Sequence, residues 1–191
     1  HIEPGRRVQL CEGPEDEATF VITTTIDILK DLYSGDISPL TAGGRARVSD
    51  PAPLDFRLGK GVSFSLDLMQ QVIWVTQRFF NRFSPEKIKL GEEYSRVVHG
   101  GHAVALFYDR NFRSAWYTIR KGEMINEPGD TNPFPQAFIV LAGEGTLSME
   151  GNSIPVQAKE AYLIAPGCEH VLSTEKDEPL ELIWLAWGEG A

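Results

Sequence analysis

Apolar and β-branched residues alternate with polar ones through most of the second half of the chain. From Gln136 to His170 the sequence QAFIVLAGEGTLSMEGNSIPVQAKEAYLIAPGCEH gives short period-two runs, cut by Gly143-Glu144-Gly145, Gly151-Asn152, Pro155 and Pro166-Gly167. Such runs predict antiparallel strands joined by tight turns, with Gly143-Glu144-Gly145 as a hairpin corner. So many strands in so short a span predict a small closed or two-sheet barrel. Upstream, Tyr94 to Val98, His102 to Asp109 and Ser114 to Arg120 read as further strands, with turns at Gly100-Gly101 and Arg110-Asn111, and Leu180 to Trp187 reads as the last. Within Ser114 to Arg120, Ala115, Tyr117 and Ile119 point one way and Trp116 and Thr118 the other, while Trp184 and Trp187 lie on opposite faces of their strand.

The first half has a different rhythm. Ala18 to Thr25 (ATFVITTT) is a strand by composition, and Thr25 or Asp27 caps a helix over Ile26 to Tyr33 that ends at Ser34-Gly35. Ser38-Pro39 opens a second short helix, stopped by Gly43-Gly44 and followed by a Pro-rich turn at residues 49–53. Residues 65–84 (SLDLMQQVIWVTQRFFNRFS) give the clearest helix, with Ser65 as its cap and Leu66, Met69, Val72, Ile73, Gln77 and Phe80 at three-to-four spacing. Leu68, Trp74, Val75, Phe79 and Phe83 widen its apolar face beyond one contact, so cover from two sides is expected, by the barrel and by the N-terminal segment or a second subunit.

Length and charge narrow the classes. The 191 residues suffice for one large or two small domains with a real core. No stretch reaches the roughly 18 apolar residues a membrane span needs, and the N-terminus lacks the layout of a secretion signal. The chain begins at His1 without a methionine, which reads as a processed chain or a piece of a longer one. The formal charge of -9 divides into -3 over residues 1–60, +2 over 61–89 and -8 over 90–191. An acidic barrel argues against nucleic acid and membrane surfaces as partners. Cys11 and Cys168 lie in different segments and read as free thiols, which suits a reducing, cytoplasmic compartment.

The run Phe138 to Gly145 (FIVLAGEG) and the run Ile164 to His170 (IAPGCEH) resemble two motifs of the cupin superfamily over about residues 87–191. That resemblance implies a mainly β fold, a small double-stranded β-helix, or jelly-roll, barrel; ahead of it the pattern of the residues gives an α+β segment over 1–60 and a connecting amphipathic helix over 61–86. A fainter resemblance links Thr19 to Leu58, with YSGDISPL and GRARVS as its best parts, to the closing half of the sterol carrier protein type two fold. It implies a remnant of a lipid-binding domain or an accessory element on the barrel.

The cupin pattern also implies where a metal would sit. The family's first motif supplies two histidines and a glutamate that join one histidine of the second motif on an iron, manganese, nickel or zinc ion. Here His170 matches the last position; counting back from Gly143 puts Gln136 at the glutamate and Asp130 and Asn132 at or near the two histidines. One imidazole, one carboxylate and two amides make a poor transition-metal site, although Glu127 would add a carboxylate if its loop bent inward. Lys159-Glu160 and Ala165 depart from the family's turns without threatening the fold.

Two functional readings follow. In the first, the barrel binds a small molecule without a full metal site, through His170, Gln136, Asn132 and Asp130, with Tyr117 and Trp184 as walls, and the protein pairs as a homodimer. In the second, it is an atypical metal-dependent oxygenase, isomerase or lyase holding its ion with His170, Asp130 and Glu127, or an acid-base catalyst using His170. His99 and His102 read as solvated hairpin residues, and Cys168 reads as a small hydrophobe. No phosphate-cradling loop, nucleotide fingerprint or nucleophile-base arrangement is present.

Overall fold

A computed structural model describes residues 18–47, 49–80 and 87–191. Cys11 and the expected end of the long helix lie outside the described residues. The chain opens with strand β1 (Phe20–Thr23), helices α1 (Ile26–Ser34) and α2 (Pro39–Gly43), and strand β2 (Asp55–Leu58). Thr25 caps α1 by accepting from the Ile28 N–H at 3.3 Å, and Gly35 ends it in the left-handed region at φ 76°. Ser38 caps α2 in the same way, its Oγ accepting from the Thr41 N–H, and Pro39 fills the first helical position. The strand β2 was not expected. Its four residues are too few to show alternation, and it is held by pairing antiparallel with β1, Phe20 opposite Leu58. Leu32, Ala42 and Leu54 form a small core between these elements.

Helix α3 (Leu66–Phe80) follows, with the Ser65 hydroxyl accepting from the Leu68 N–H at 3.1 Å. Of its side chains only Val72 is fully buried, while Leu66, Trp74 and Phe79 are exposed. Among the described residues no helix is long and apolar enough to cross a membrane.

The rest is β. One sheet of six strands contains β3 (Arg96–Val98), β4 (Gly101–Asp109), β5 (Phe112–Ile119), β7 (Gln136–Ala142), β10 (Ala161–Ile164) and β12 (Leu180–Trp187), in the order β10-β7-β12-β5-β4-β3. The other has four strands, β6 (Met124–Ile125), β8 (Glu144–Met149), β9 (Asn152–Gln157) and β11 (His170–Ser173), in the order β6-β11-β8-β9. Every pairing is antiparallel. Their facing sides share one core, in which Ile119, Leu180 and Leu182 of the first sheet meet Leu147, Val156 and Leu172 of the second. This is the mainly β, two-sheet arrangement expected from the pattern, and the jelly roll that the resemblance implies.

Two turns differ from the expected ones. The β3–β4 turn is His99-Gly100, both at positive φ (53° and 86°), one residue earlier than Gly100-Gly101. Gly143 is a corner between the two sheets, not a hairpin, because β7 and β8 do not pair. It has φ 78°, and a Cβ there would fall 2.4 Å from the Pro179 carbonyl oxygen, so only glycine fits.

The N-terminal elements close an open edge. Strand β3 pairs with β4 only as far as Ala103, which leaves the Ala105 N–H without a strand partner. The Thr41 hydroxyl of α2, itself buried, accepts from that N–H at 2.9 Å. Arg96 of β3 donates to the Gly44 carbonyl oxygen, fastening the two parts a second time.

Candidate functional site

Where α2, β2 and α3 lie against the large sheet, a cavity of about 780 Å³ remains. Its origin is in the sequence of two strands. Side chains directly paired across a sheet share a face, and Ala105 of β4 pairs with Ala115 of β5, beside Ala103 opposite Tyr117. Small side chains in neighbouring positions leave the inner face of the sheet low there. Met69, Val72 and Ile73 of α3 and Phe56 of β2 roof the space without filling it.

One end of the cavity is polar. Gln136 is buried at the start of β7, and its Oε1 accepts from the Trp184 indole N–H at 2.9 Å and from Asn132 Nδ2 at 3.1 Å. Its Nε2 lies 3.4 Å from His170 Nε2, and Asn126 Nδ2 lies 3.0 Å from the same ring nitrogen. The other ring nitrogen, Nδ1, is 2.9 Å from the Cys168 carbonyl oxygen. A carbonyl can only accept, so Nδ1 carries the hydrogen and Nε2 accepts from the Asn126 amide. The tautomer is thus set by the Pro166-Gly167 turn. Gly167, at φ 78°, donates its N–H to the Asn132 carbonyl oxygen at 2.7 Å, and the turn presents the Cys168 carbonyl to the ring.

Gln136, Asn132, Tyr117 and Trp184 line the cavity, as does Asn126. His170 does not line it. The ring is wholly buried behind the amides of Asn126 and Gln136 and packs against Phe138, ring centroids 5.9 Å apart. Asp130 and Glu127 also stay outside the cavity. The Asp130 carboxylate accepts from the Glu127 N–H at 2.9 Å within an exposed turn, and Glu127 faces Arg47 at 3.7 Å on the surface. Counting along the sequence put Asp130 beside the imidazole, whereas Asn126 occupies that place. The chain from Glu127 to Thr131 loops outward before Asn132 and Phe134 return to the cavity wall, so residues in it lose the register that counting assumes.

The donors that surround His170 do not suit a transition ion. Iron, nickel and zinc are held by several imidazoles, thiolates or carboxylates, and here one imidazole already accepts a hydrogen bond from an amide. Among the described residues no group of three or more His, Cys, Asp and Glu side chains is placed to share a metal ion. The arrangement can orient a polar group by hydrogen bonding from neutral amides; it offers no strong Lewis base and no exposed proton acceptor.

Other groups complete the surroundings. Burial pushes the Tyr117 phenol well above its usual range, with a smaller contribution from Tyr108, so it faces the cavity as a neutral hydroxyl. His99 stands exposed in the β3–β4 turn, as expected, and borders the cavity; partial desolvation there holds its imidazole below its ordinary value. His102 is partly buried, 3.2 Å from the Ser95 hydroxyl. Burial, then the nearby Glu150 carboxylate, raises the Cys168 thiol. Asn126 and Arg113, both on the cavity wall, are not among the residues that the sequence singles out. Asn126 left one trace, being an asparagine in a stretch where the backbone turns left-handed, at φ 67°.

A family model described as Cupin domain matches residues 115–186. No curated protein matches the chain. Among solved structures the chain is similar to a Cupin 2 conserved barrel domain protein from Salinispora arenicola CNS-205, at 19% identity over 54% of this chain and 88% of that one, TM-score 0.49. It is also similar to the plu4264 protein from Photorhabdus luminescens, at 16% identity over 53% and 87%, TM-score 0.48. The Cnp3 cupin domain of Schizosaccharomyces pombe aligns at 12% identity over 73% and 80%, TM-score 0.44.

Proposed function

From the premise that the β portion of this chain belongs to the cupin superfamily, we propose that it is a binding module that holds a small, largely apolar molecule beneath α3 and needs no metal ion to do so. The observation that carries this reading is a cavity of about 780 Å³ with apolar walls and an end built of side-chain amides. Ligand pockets of this size enclose drug-sized molecules, with a few polar groups setting their orientation. Gln136, Asn132 and Asn126 are those groups, Tyr117 supplies a hydroxyl, and Trp184 forms a wall. The oxygenase, isomerase or lyase reading requires an ion at His170, and the amides around that ring argue against it. Acid-base catalysis by His170 requires the ring to reach a ligand from which Asn126 and Gln136 separate it.

The same reading pairs the protein with a second copy through the outward side of α3, where Trp74 and Phe79 are 44% and 72% exposed. Sedimentation should then give a dimer that Phe79→Glu converts to monomer; a wild-type monomer at all concentrations rejects the pairing.

The binding reading is tested with N-phenyl-1-naphthylamine, an uncharged fluorescent probe, titrated into protein dialysed against EDTA. Saturable binding at one site per chain, weakened at least tenfold by Ala115→Leu, is expected, because leucine at that position fills the low part of the sheet. Absence of binding, or binding indifferent to Ala115→Leu, overturns the reading.

A further inference from the structure

Resting on that reading, we propose that the ligand is an amphipathic anion, an apolar body carrying one carboxylate or similarly acidic group, and that Arg113 holds the acidic group. Charge points this way first. The chain carries a formal -9, yet the cavity is lined by Arg45, Arg47, Arg57 and Arg113 against a single carboxylate, Asp55. Asp55 is already engaged with Arg45 at 2.8 Å, and Arg47 has Glu127 at the surface.

Arg113 differs from the other three. Among the described residues Arg57 has no carboxylate partner but is exposed; Arg113 likewise has none, and its Nε is buried without a hydrogen-bond acceptor. The rings of Tyr108 and Phe134 flank its guanidinium at 4.9 and 5.8 Å, and both also line the cavity. A buried N–H of a cation without an acceptor is costly, and an anion placed against it recovers that cost. The aromatic rings cover the faces of the guanidinium and leave its donating edge for such a partner.

The strand register gives the site an axis. Arg113 and Gln136 are both paired to Ala186, so they occupy one cross-strand row on one face of the sheet. Their Cα atoms are two strand spacings apart, about 10 Å, close enough for both side chains to meet one acidic group. The next row is Ala115, Trp184 and Phe138, and the one after it Tyr117, Leu182 and Val140. Polar at one end and apolar beyond, these rows match a molecule with one charged head.

The test compares two probes built on the same aromatic skeleton: 8-anilino-1-naphthalenesulfonate, which is anionic, and N-phenyl-1-naphthylamine, which is neutral. Wild-type protein should bind the sulfonate about tenfold or more tightly than the neutral probe, the scale of a hydrogen bond to a charged group. Arg113→Met should lose that preference while its affinity for the neutral probe stays within about twofold, which also shows the variant folded; Arg113→Lys should keep part of it. Equal affinity for the two probes, or equal weakening of both by Arg113→Met, overturns the anionic ligand and leaves the binding reading intact. Binding of neither probe overturns both.

Discussion

Replacing His170 with alanine separates a structural imidazole from one that meets a ligand. The ring is fully buried, packs against Phe138 and accepts from Asn126 Nδ2 at 3.0 Å while its own N–H is held by the Cys168 carbonyl. Removing it leaves a hole in a packed interior, at a cost of about 2 kcal/mol. It also leaves one N–H of the buried Asn126 amide without its acceptor, while the amide keeps its bond to the backbone carbonyl of residue 170 at 3.3 Å, at a cost of about 1–3 kcal/mol. The expected loss is therefore about 3–5 kcal/mol, or roughly 6–20 °C in Tm at ~2–4 °C per kcal/mol for a domain of this size. Urea unfolding followed by far-ultraviolet circular dichroism and by tryptophan fluorescence measures it. Asp130→Asn is the control: its turn is exposed and the amide oxygen can still accept from the Glu127 N–H, so the change should stay within about 0.5 kcal/mol. A loss under about 1 kcal/mol for His170→Ala, together with loss of probe binding, would refute the argument, since the ring would then be serving the ligand and not the fold.

Three further outcomes are expected. Asn126→His combined with Gln136→Glu places a second imidazole and a carboxylate around His170, so the double variant should bind zinc in calorimetry where wild-type protein does not; equal zinc binding by both would show that the amides are not what excludes the ion. Thr41→Val leaves the Ala105 N–H without an acceptor and should cost about 1–3 kcal/mol in urea unfolding, with no measurable change meaning that α2 does not seal the β4 edge. Because burial and Glu150 raise the Cys168 thiol, its alkylation by iodoacetamide, followed by mass spectrometry of its peptide, should be slower at pH 8 than that of a small free thiol and should rise only at higher pH; a faster reaction contradicts the placement.

Local signals made much of the fold legible. Thr25, Gly35 and the Ser38-Pro39 pair act through their own side chains and backbone, within four residues of the atoms they satisfy, so they could be read directly. The alternation in β5, β7 and β12 reflects one shared core. Strand β2 left no comparable mark, because its pairing with β1 spans more than thirty residues. The same distinction divides the site. Gln136 and His170 sit on regular strands at motif positions and do come together at 3.4 Å, whereas Asp130 lies in an outward loop where counting fails. Arg113 and Asn126 gain their meaning only from tertiary neighbours, Tyr108, Phe134 and His170, and the cavity itself exists because two alanines on different strands are paired.

Protein purified without chelator should be divided in two, one half assayed for transition metals by plasma mass spectrometry and the other extracted with organic solvent and searched for a bound small molecule. The account predicts iron, manganese, nickel and zinc far below one per chain, together with an extractable amphipathic acid that Ala115→Leu protein lacks. Near-stoichiometric metal that disappears in His170→Ala protein would contradict it.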